Sequence, residues 1–192
     1  MFRVSYDKED NDKEDIMKLH LGCGKRYIEG WVHVDAVQHP HVDYIAMLDN
    51  LSFLDDESVQ EIYACHVLEH FKRNEVKKCL SEWFRVMKKD SILRLAVPDF
   101  EKACQLYQQT KDIMLVKGLI CGRQDYEFNI HYNVFDMKSI SELLEEIGFS
   151  CVKKYDWRDT EHAHLDDYSQ SYYPHLDKEH GMLLSLNIEA VK

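Results

Sequence analysis

Two glycines and one acidic residue, each placed directly after a short apolar run, carry the clearest chemical signal in this sequence. Residues 18–24 read Lys-Leu-His-Leu-Gly-Cys-Gly, and residues 31–35 read Trp-Val-His-Val-Asp. Glycine has no Cβ, so the backbone at Gly22 and Gly24 can approach a ligand closely. An acid at the tip of the next strand, here Asp35, accepts hydrogen bonds from ribose hydroxyls. The pattern predicts a nucleoside-containing cofactor at the carboxyl edge of a parallel sheet.

The spacing argues against a nicotinamide dinucleotide as that cofactor. The third glycine of a dinucleotide fingerprint is missing, because Lys25, Arg26 and Tyr27 follow the first two. Asp35 also comes earlier than the ~20 residues that separate the glycines from the ribose-binding acid in such proteins. A plain tight turn and a surface or capping acid are the alternative interpretation of these residues.

A second chemical pattern lies at His66-Val-Leu-Glu-His70, which spells the inverted zinc-protease motif. On a helix, histidines at i and i+4 share a face, so His66 and His70 would bind zinc with Glu69 as the base. However, residues 60–64 read as a strand, so His66 would precede any helix, and no third ligand is apparent. A zinc hydrolase is therefore kept as a minor alternative.

Strand and helix signals alternate along the chain, which predicts an α/β layered sheet. Short β-rich runs predict strands at Met17–Leu21, Trp31–Asp35, Val42–Met47, Gln60–Ala64, Ser91–Val97, Cys151–Asp156 and Leu183–Ala190. Helical periodicity predicts helices at Asn74–Lys88, Phe100–Thr110 and Asp136–Ile147. Asn74 is the expected N-cap of the first helix, Asp136 or Ser139 caps the third, and Gly148 ends it.

The first connection is unusually short. Only residues 22–30 separate the first two predicted strands, whereas a parallel crossover usually needs a dozen or more residues, normally a helix. Either the first helix is reduced to about a turn, or these strands do not pair as neighbours in the usual way.

Composition narrows the class of protein. The chain has 192 residues and a net charge of −11, so a single domain is expected, and binding to a phosphate backbone is disfavoured. No apolar stretch approaches the ~20 residues that span a bilayer, and no amphipathic anchor is evident. Six scattered cysteines without a CxxC pair suggest reduced thiols in a cytoplasmic protein. We expect a charged lead-in at residues 1–16 and one domain at 17–192, with an insert at 158–182.

The order and spacing of six segments resemble class I S-adenosylmethionine (SAM)-dependent methyltransferases. The similarity runs from about Lys18 to Phe149 and is closest to a small bacterial branch of predicted methyltransferases of the type 11 kind, often associated with polysaccharide biosynthesis. The matching segments are Leu19–Gly24, Trp31–Asp35, Asp49–Phe53, Ile62–Phe71, Glu82–Lys88 and Leu93–Phe100. The Gly-Gly usual after the Arg-Val-Met-Lys helix is replaced by Lys89-Asp90-Ser91.

The resemblance implies a fold and a set of cofactor residues. The fold would be Rossmann-like: a mostly parallel twisted sheet with an antiparallel last strand and helices on both faces. The cofactor would be SAM, with S-adenosylhomocysteine as product. Gly22 and Gly24 would approach its methionine part with Cys23 between them, and Asp35 would hold the ribose. The remaining implied cofactor contacts are Asp49 at the adenine amino group, Leu51 just after it, and His66 near the sulfonium.

Candidate acceptor-side residues lie in the second half of the chain. His131 is the first candidate for a general base, because histidine titrates near neutrality and its loop resembles a Gly-Gly-Gln…His stretch of the same branch. Asp99 ends the fifth predicted strand and is a candidate base, metal ligand or helix cap. Arg123 and Gln124 are candidates for gripping a phosphate or carboxylate, and Tyr168 lies in a polar insert of the kind that covers acceptors in this fold.

Together these observations predict methyl transfer from SAM to an oxygen of a small acceptor, with a sugar, nucleotide-sugar or capsule precursor indicated by analogy alone. An N-methyltransferase and a non-catalytic SAM-binding domain are the alternatives from the same fold. His66, Glu69 and His70 are weak candidates for a divalent metal, as in the acid-histidine element of ubiquinone-pathway O-methyltransferases. The expected partners are the small acceptor only, without nucleic acid or membrane, and the expected state is a monomer or homodimer.

Overall fold

A computed structural model describes residues 16–192. The lead-in predicted for residues 1–16 lies outside the described residues except for Ile16. In the described part of the chain, no helix is long and apolar enough to cross a membrane.

The described chain contains both strands and helices, as the sequence predicts, although four strands precede the first α-helix. The strands are β1 (Lys18–Leu21), β2 (Val32–Asp35), β3 (Tyr44–Ile45), β4 (Val59–Cys65), β5 (Met87–Pro98), β6 (Ser150–Lys154), β7 (Tyr172–Tyr173), β8 (Met182–Leu183) and β9 (Ser185–Val191). The helices are α1 (Arg73–Val86), α2 (Phe100–Thr110), α3 (Met114–Cys121) and α4 (Met137–Ile147), with 3-10 turns at Leu68–His70, Trp157–Asp159 and Tyr168–Gln170.

Seven strands form one sheet in the order β3-β2-β1-β4-β5-β9-β6. The pairs from β3 to β5 are parallel, and β9 runs antiparallel between β5 and β6. The predicted fold class, a mostly parallel sheet with an antiparallel last strand, is therefore confirmed.

The apolar face of this sheet carries the main core. Alternate residues of β1, β4 and β5, such as Leu19, Ile62 and Leu93, lie fully buried on this face. Helices α1 and α4 cover it with Leu80, Trp83, Ile140 and Leu144. These positions follow the helical spacing seen in the sequence, because only one stripe of each helix meets the sheet.

The opposite face is polar, and the segment between β6 and β9 covers much of it. Tyr63 of β4 donates its hydroxyl hydrogen bond to Asp167 at 2.6 Å, and both side chains are buried. Lys18 of β1 donates to Glu161 at 2.8 Å. Asn187 of β9 donates to the carbonyl oxygen of Ser169 at 2.9 Å. Over this part of the sheet, loops and 3-10 turns therefore take the place of a packed helix.

The short connection between β1 and β2 leaves no room for a full helix, but the two strands still pair as neighbours. β1 and β2 pair in parallel, with Leu19 opposite Val32 and Leu21 opposite Val34. The residues between them form turns, and the described chain places no helix there. Ile28 and Trp31 from this connection pack against Tyr63 and fill part of the space on the polar face.

Helix boundaries differ from the predictions in two places. Asn74 is not the N-cap of α1: the cap is Lys72, whose backbone amide donates to Glu75 at 3.1 Å. Helix α1 ends at Val86, because Met87 is already extended and begins β5. Helix α3 was not predicted; with α2 and the β7–β8 hairpin it forms a second, smaller core around Leu106 and Leu184.

Candidate cofactor and acceptor site

The predicted glycine loop lies where the order of the strands reverses. The chain moves outward from β1 to β2 on one side, and β4 pairs with β1 on the other. Crevices for ligands form at this position, outside the carboxyl ends of the strands. Gly22 follows β1 with φ +64°, and a Cβ on it would lie 2.3 Å from Cγ2 of Val67, which follows β4. A side chain at residue 22 would therefore close the crevice.

Asp35 orders the glycine loop from the tip of β2. Its Oδ2 accepts the backbone amide of Gly24 at 2.8 Å, and its Oδ1 accepts that of Val37 at 2.8 Å. The carboxylate is buried. Because a carboxylate has about four lone-pair positions, two amides leave acceptor capacity for the ribose hydroxyls predicted for Asp35.

Cys23 contributes packing to this loop. The side chain is buried, and burial together with the charge of Asp35 raises the pKa of its thiol to about 12. A thiol with such a pKa stays protonated, so Cys23 is unsuited to act as a nucleophile or a metal ligand.

The segment after β3 adjoins the glycine loop but is held by helix α1. Leu48 lies close to Gly22, with its Cδ1 at 3.4 Å from an ideal Cβ there. The next residue, Asp49, is bound to Lys78 at 2.8 Å. Leu51 is fully buried, and its amide donates to Glu82 at 2.8 Å. The adenine role of Asp49 and the cofactor contact of Leu51 thus stay predictions, with Lys78 as a competing partner for Asp49.

His66 brings the tip of β4 together with the insert. Its φ is +53°, its Nε2 lies 3.3 Å from Oγ of Ser185, and its ring centroid is 5.1 Å from that of Tyr168. The guanidinium of Arg26 lies 5.3 Å from the ring centroid of Tyr168. His66, predicted to contact the cofactor, and Tyr168, predicted to contact the acceptor, therefore lie at the same edge of the sheet.

A cluster of one buried carboxylate and three half-buried imidazoles lies beside this edge. Glu69 is fully buried, with His66 Nδ1 at 3.4 Å and His131 Nε2 at 4.0 Å from its Oε1. The rings of His70 and His131 are 4.9 Å apart. The predicted base His131 and the weak metal candidates thus meet, although about sixty residues separate them in sequence.

Burial controls the protonation of this cluster. It raises the pKa of Glu69 to about 8 and lowers that of His66 to about 3, since a charged form loses its hydration. It also lowers the pKa of His70 and His131, against the opposing effect of a backbone carbonyl at each ring. All three histidines are therefore neutral near pH 7, and a pKa of about 3 makes His66 a weak base.

The loop that carries His131 is closed by its own backbone. Gln124 donates to the carbonyl oxygen of Asn129 at 2.8 Å, and His131 donates to that of Cys121 at 3.2 Å. Gly122, with φ +71°, permits this closure, because a Cβ there would lie 2.5 Å from the same Asn129 oxygen. Burial raises the pKa of Tyr126, and the negative charges of Asp35 and Asp125 add to this effect.

The other acceptor candidates are placed differently. Asp99 is buried and caps α2, accepting the amide of Lys102 at 3.2 Å, so the capping interpretation describes its contact. Arg123 is exposed, with Asp125 as its partner at 3.8 Å. Gln124 is exposed and donates to the carbonyl oxygen of Cys121 at 3.1 Å. None of these contacts tests a role toward the acceptor.

The zinc-protease arrangement requires His66 and His70 on one helix face, which the structure does not provide. His66 has a left-handed backbone conformation, and only a 3-10 turn, Leu68–His70, follows it.

Two further residues at the site, Arg26 and Ser185, were not predicted from the sequence. They approach the site from a loop and from the start of β9. No local pattern marks them, because only the folded sheet brings them near His66.

Comparisons with known proteins agree with this architecture. A family model described as a methyltransferase domain matches residues 32–95, about a third of the chain. A search of curated proteins found no match. A SAM-dependent methyltransferase of Methanosarcina mazei is 17% identical, with a TM-score of 0.57 over 94% of this chain and 93% of that one.

Two further solved structures are similar at comparable levels. A SAM-dependent methyltransferase of Archaeoglobus fulgidus is 16% identical, with a TM-score of 0.56 over 92% of this chain and 86% of that one. The 1,6-didemethyltoxoflavin-N1-methyltransferase of Burkholderia thailandensis, solved with S-adenosylhomocysteine, is 13% identical, with a TM-score of 0.56 over 92% and 70%. The chain has the Rossmann-like fold of class I SAM-dependent methyltransferases, and the domain match supports SAM as its cofactor.

Proposed function

We propose that this protein transfers a methyl group from SAM to an oxygen of a small acceptor, a sugar or nucleotide-sugar in the first instance. The observation that carries the proposal is the pairing of Asp35 with Gly24 at the reversal point of the sheet. It supports a nucleoside site whose acid and backbone amides are already in place before the cofactor binds.

The neighbouring cluster favours an oxygen acceptor over a nitrogen one. A neutral amine already has a free lone pair, whereas an alcohol must lose its proton as it attacks. His131, neutral near pH 7, supplies a base close to the cofactor edge. In the reaction, the acceptor oxygen bonds to the methyl carbon while the carbon–sulfur bond breaks, and the acceptor proton passes to His131.

The surroundings suit a sulfonium cofactor. The chain carries 35 acidic against 24 basic residues, and Asp35 is buried at the edge where the cofactor would lie. A positive sulfonium is stabilised by such an environment. Methyl transfer then requires mainly alignment and exclusion of water, which the loop over residues 122–131 and the insert with Tyr168 would provide.

Calorimetric titration of the protein with SAM and with S-adenosylhomocysteine tests the cofactor. Micromolar binding of both is expected, and no binding of either would overturn the proposal. Labelled SAM incubated with a panel of nucleotide sugars, and with amines of similar size, then tests the acceptor. Label on the sugars supports the oxygen acceptor, label on the amines alone assigns N-methylation, and SAM binding without transfer across broad panels favours a non-catalytic domain.

A further inference from the structure

The side-chain carboxylate of Glu69 has no hydrogen-bond partner among the described residues. The residue is fully buried, and neither Oε1 nor Oε2 has a hydrogen-bond partner. A buried carboxylate without a donor is costly, so such groups are usually paired or coordinate a metal.

The two histidines next to it are oriented like ligands. Nδ1 of His70 lies 3.1 Å from the carbonyl oxygen of Ile130, and Nδ1 of His131 lies 2.9 Å from that of Leu119. Since a carbonyl oxygen only accepts, each Nδ1 carries the proton and each Nε2 keeps its lone pair. Metal-binding histidines are held in this way by a partner on the other ring nitrogen.

The donor atoms are close enough to share one ion. One ligand atom each from Glu69, His70 and His131 lies within 4.8 Å of the others. A tetrahedral site with bonds of about 2.1 Å places its donors about 3.4 Å apart. The three donor atoms would therefore have to move about 1 Å closer together. Small rotations of the side chains can supply a shift of that size.

We propose that Glu69, His70 and His131 bind a divalent transition-metal ion, zinc in the first instance, beside the carboxyl edge of the sheet. One oxygen and two imidazole nitrogens form a donor set that suits zinc and its neighbours in the first transition row better than magnesium or calcium. Three protein ligands leave a coordination position for a substrate atom.

His66 would support the ion from outside the ligand set. Its Nδ1 lies 3.4 Å from Oε1 of Glu69, and its ring contacts Tyr168. His66 therefore links this cluster to the edge where the acceptor is predicted to bind. An acceptor hydroxyl bound at the open coordination position would release its proton to solvent more readily before its oxygen attacks the methyl carbon, so the ion would take over from His131 the activation of the acceptor. That last role rests on the proposed function, whereas metal binding itself does not.

The competing explanation is a neutral Glu69 that donates its own proton to one of the imidazoles. This arrangement satisfies one oxygen without any ion, and the raised pKa of Glu69 is compatible with it. The two explanations differ in what happens when zinc is offered to the protein.

The test uses the full chain, stripped with a chelator and titrated with zinc and with cobalt alone. One ion per chain is expected by elemental analysis, with a cobalt absorption spectrum of four- or five-coordinate character. Glu69→Gln and His131→Asn should each weaken zinc binding at least 100-fold. His162→Asn is the matched control, since His162 is also buried but lies outside the cluster, and it should leave the affinity unchanged.

The outcomes separate the explanations. Absence of stoichiometric binding, or binding that Glu69→Gln and His131→Asn leave unchanged, would overturn the metal site. Thermal unfolding of each stripped variant checks folding, and zinc should raise the melting temperature of the wild type but not of a folded Glu69→Gln. SAM titration of the same samples is read separately: zinc binding without SAM binding rejects the proposed function alone, and the reverse rejects the metal site alone.

Discussion

The carboxylate of Asp35 joins the end of β2 to the glycine loop after β1 through a 2.8 Å hydrogen bond from the amide of Gly24. Its second oxygen accepts the amide of Val37 at the same distance. One side chain therefore fixes the backbone on both sides of the predicted ribose position. Asp35 therefore orders the site before any ligand binds, in addition to its predicted role of binding the ribose.

Replacing Asp35 by asparagine should weaken the binding of both SAM and S-adenosylhomocysteine. The asparagine amide offers only one acceptor oxygen, so it cannot hold both backbone amides and the ribose. We expect at least a tenfold loss of affinity, or about 1.4 kcal/mol, by calorimetric titration. The loss should be similar for the two ligands, because they share the ribose and differ in the sulfonium charge.

Asp112→Asn provides the control for that variant. Asp112 is exposed and also accepts a backbone amide, that of Met114 at 2.8 Å, but it lies between α2 and α3. Its replacement should leave both affinities unchanged. Equal affinities for Asp35→Asn and the wild type would remove Asp35 from the site, and a loss confined to SAM would assign it to the charge of the sulfonium instead.

Gly22 and Gly24 should respond differently to alanine, although both have a positive φ. A Cβ at Gly24 meets nothing within 4 Å, whereas one at Gly22 lies 2.3 Å from Val67 Cγ2. Gly24→Ala should therefore cost only the backbone strain of about 1–2 kcal/mol. Gly22→Ala should cost at least 1 kcal/mol more and abolish SAM binding, as measured by urea unfolding and titration.

The double variant Gly22→Ala/Val67→Ala checks the cause. Val67→Ala removes the methyl group that the new Cβ would meet, so the double variant should be more stable than the sum of the two single effects predicts. Additive losses would show that the close approach of residues 22 and 67 does not limit the size of residue 22.

The sequence was most informative where one residue type answers one local requirement. Helix α2 was predicted with the bounds that the structure shows, because Asp99 caps it and its apolar residues repeat at helical spacing. Helix α3 was missed, since Met114–Cys121 is short, contains Gly118 and has no polar face to reveal a period. For the short connection between β1 and β2, the sequence allowed two possibilities: a helix reduced to about a turn, or strands that do not pair as neighbours.

The candidate site, like the fold, could be predicted from the sequence only in part. The glycines and Asp35 could be recognised because they follow strand signals directly. The meeting of Glu69 with His131 could not, since it depends on a loop that returns through Gly122 to the edge of the sheet. The polar contacts of Lys18 and Tyr63 with the insert were hidden for a similar reason, because each partner lies more than 100 residues away.

Two tyrosines on the polar side of the sheet should differ when their hydroxyl groups are removed. The hydroxyl of Tyr63 donates to Asp167 at 2.6 Å, whereas that of Tyr155 is buried without a partner. Tyr63→Phe should destabilise the protein by about 2 kcal/mol and increase amide hydrogen exchange in residues 160–171. Tyr155→Phe should be neutral or stabilising. Equal effects of the two variants would mean that Asp167 does not anchor the insert.

Acid should weaken the fold partly through His20, which lies on the same polar side of the sheet. Burial lowers the pKa of His20 to about 3, with further lowering by His33, His162, His41 and Arg26. In the unfolded chain its pKa is about 6.5. Between these two values the unfolded state binds more protons, so the free energy of unfolding falls as the pH decreases below about 6.5.

His20→Phe removes this proton-binding group while keeping a ring against Tyr63, whose centroid is 5.4 Å away. Between pH 7 and pH 5 the wild type should lose about 2 kcal/mol more unfolding free energy than the variant, from the linkage between pKa and stability. Urea unfolding at both pH values measures the difference. The variant should be at least as stable as the wild type at pH 7, because Nδ1 of His20 is buried without a partner. Parallel pH dependences for the two proteins would mean that His20 is already protonated in the fold or is hydrated there.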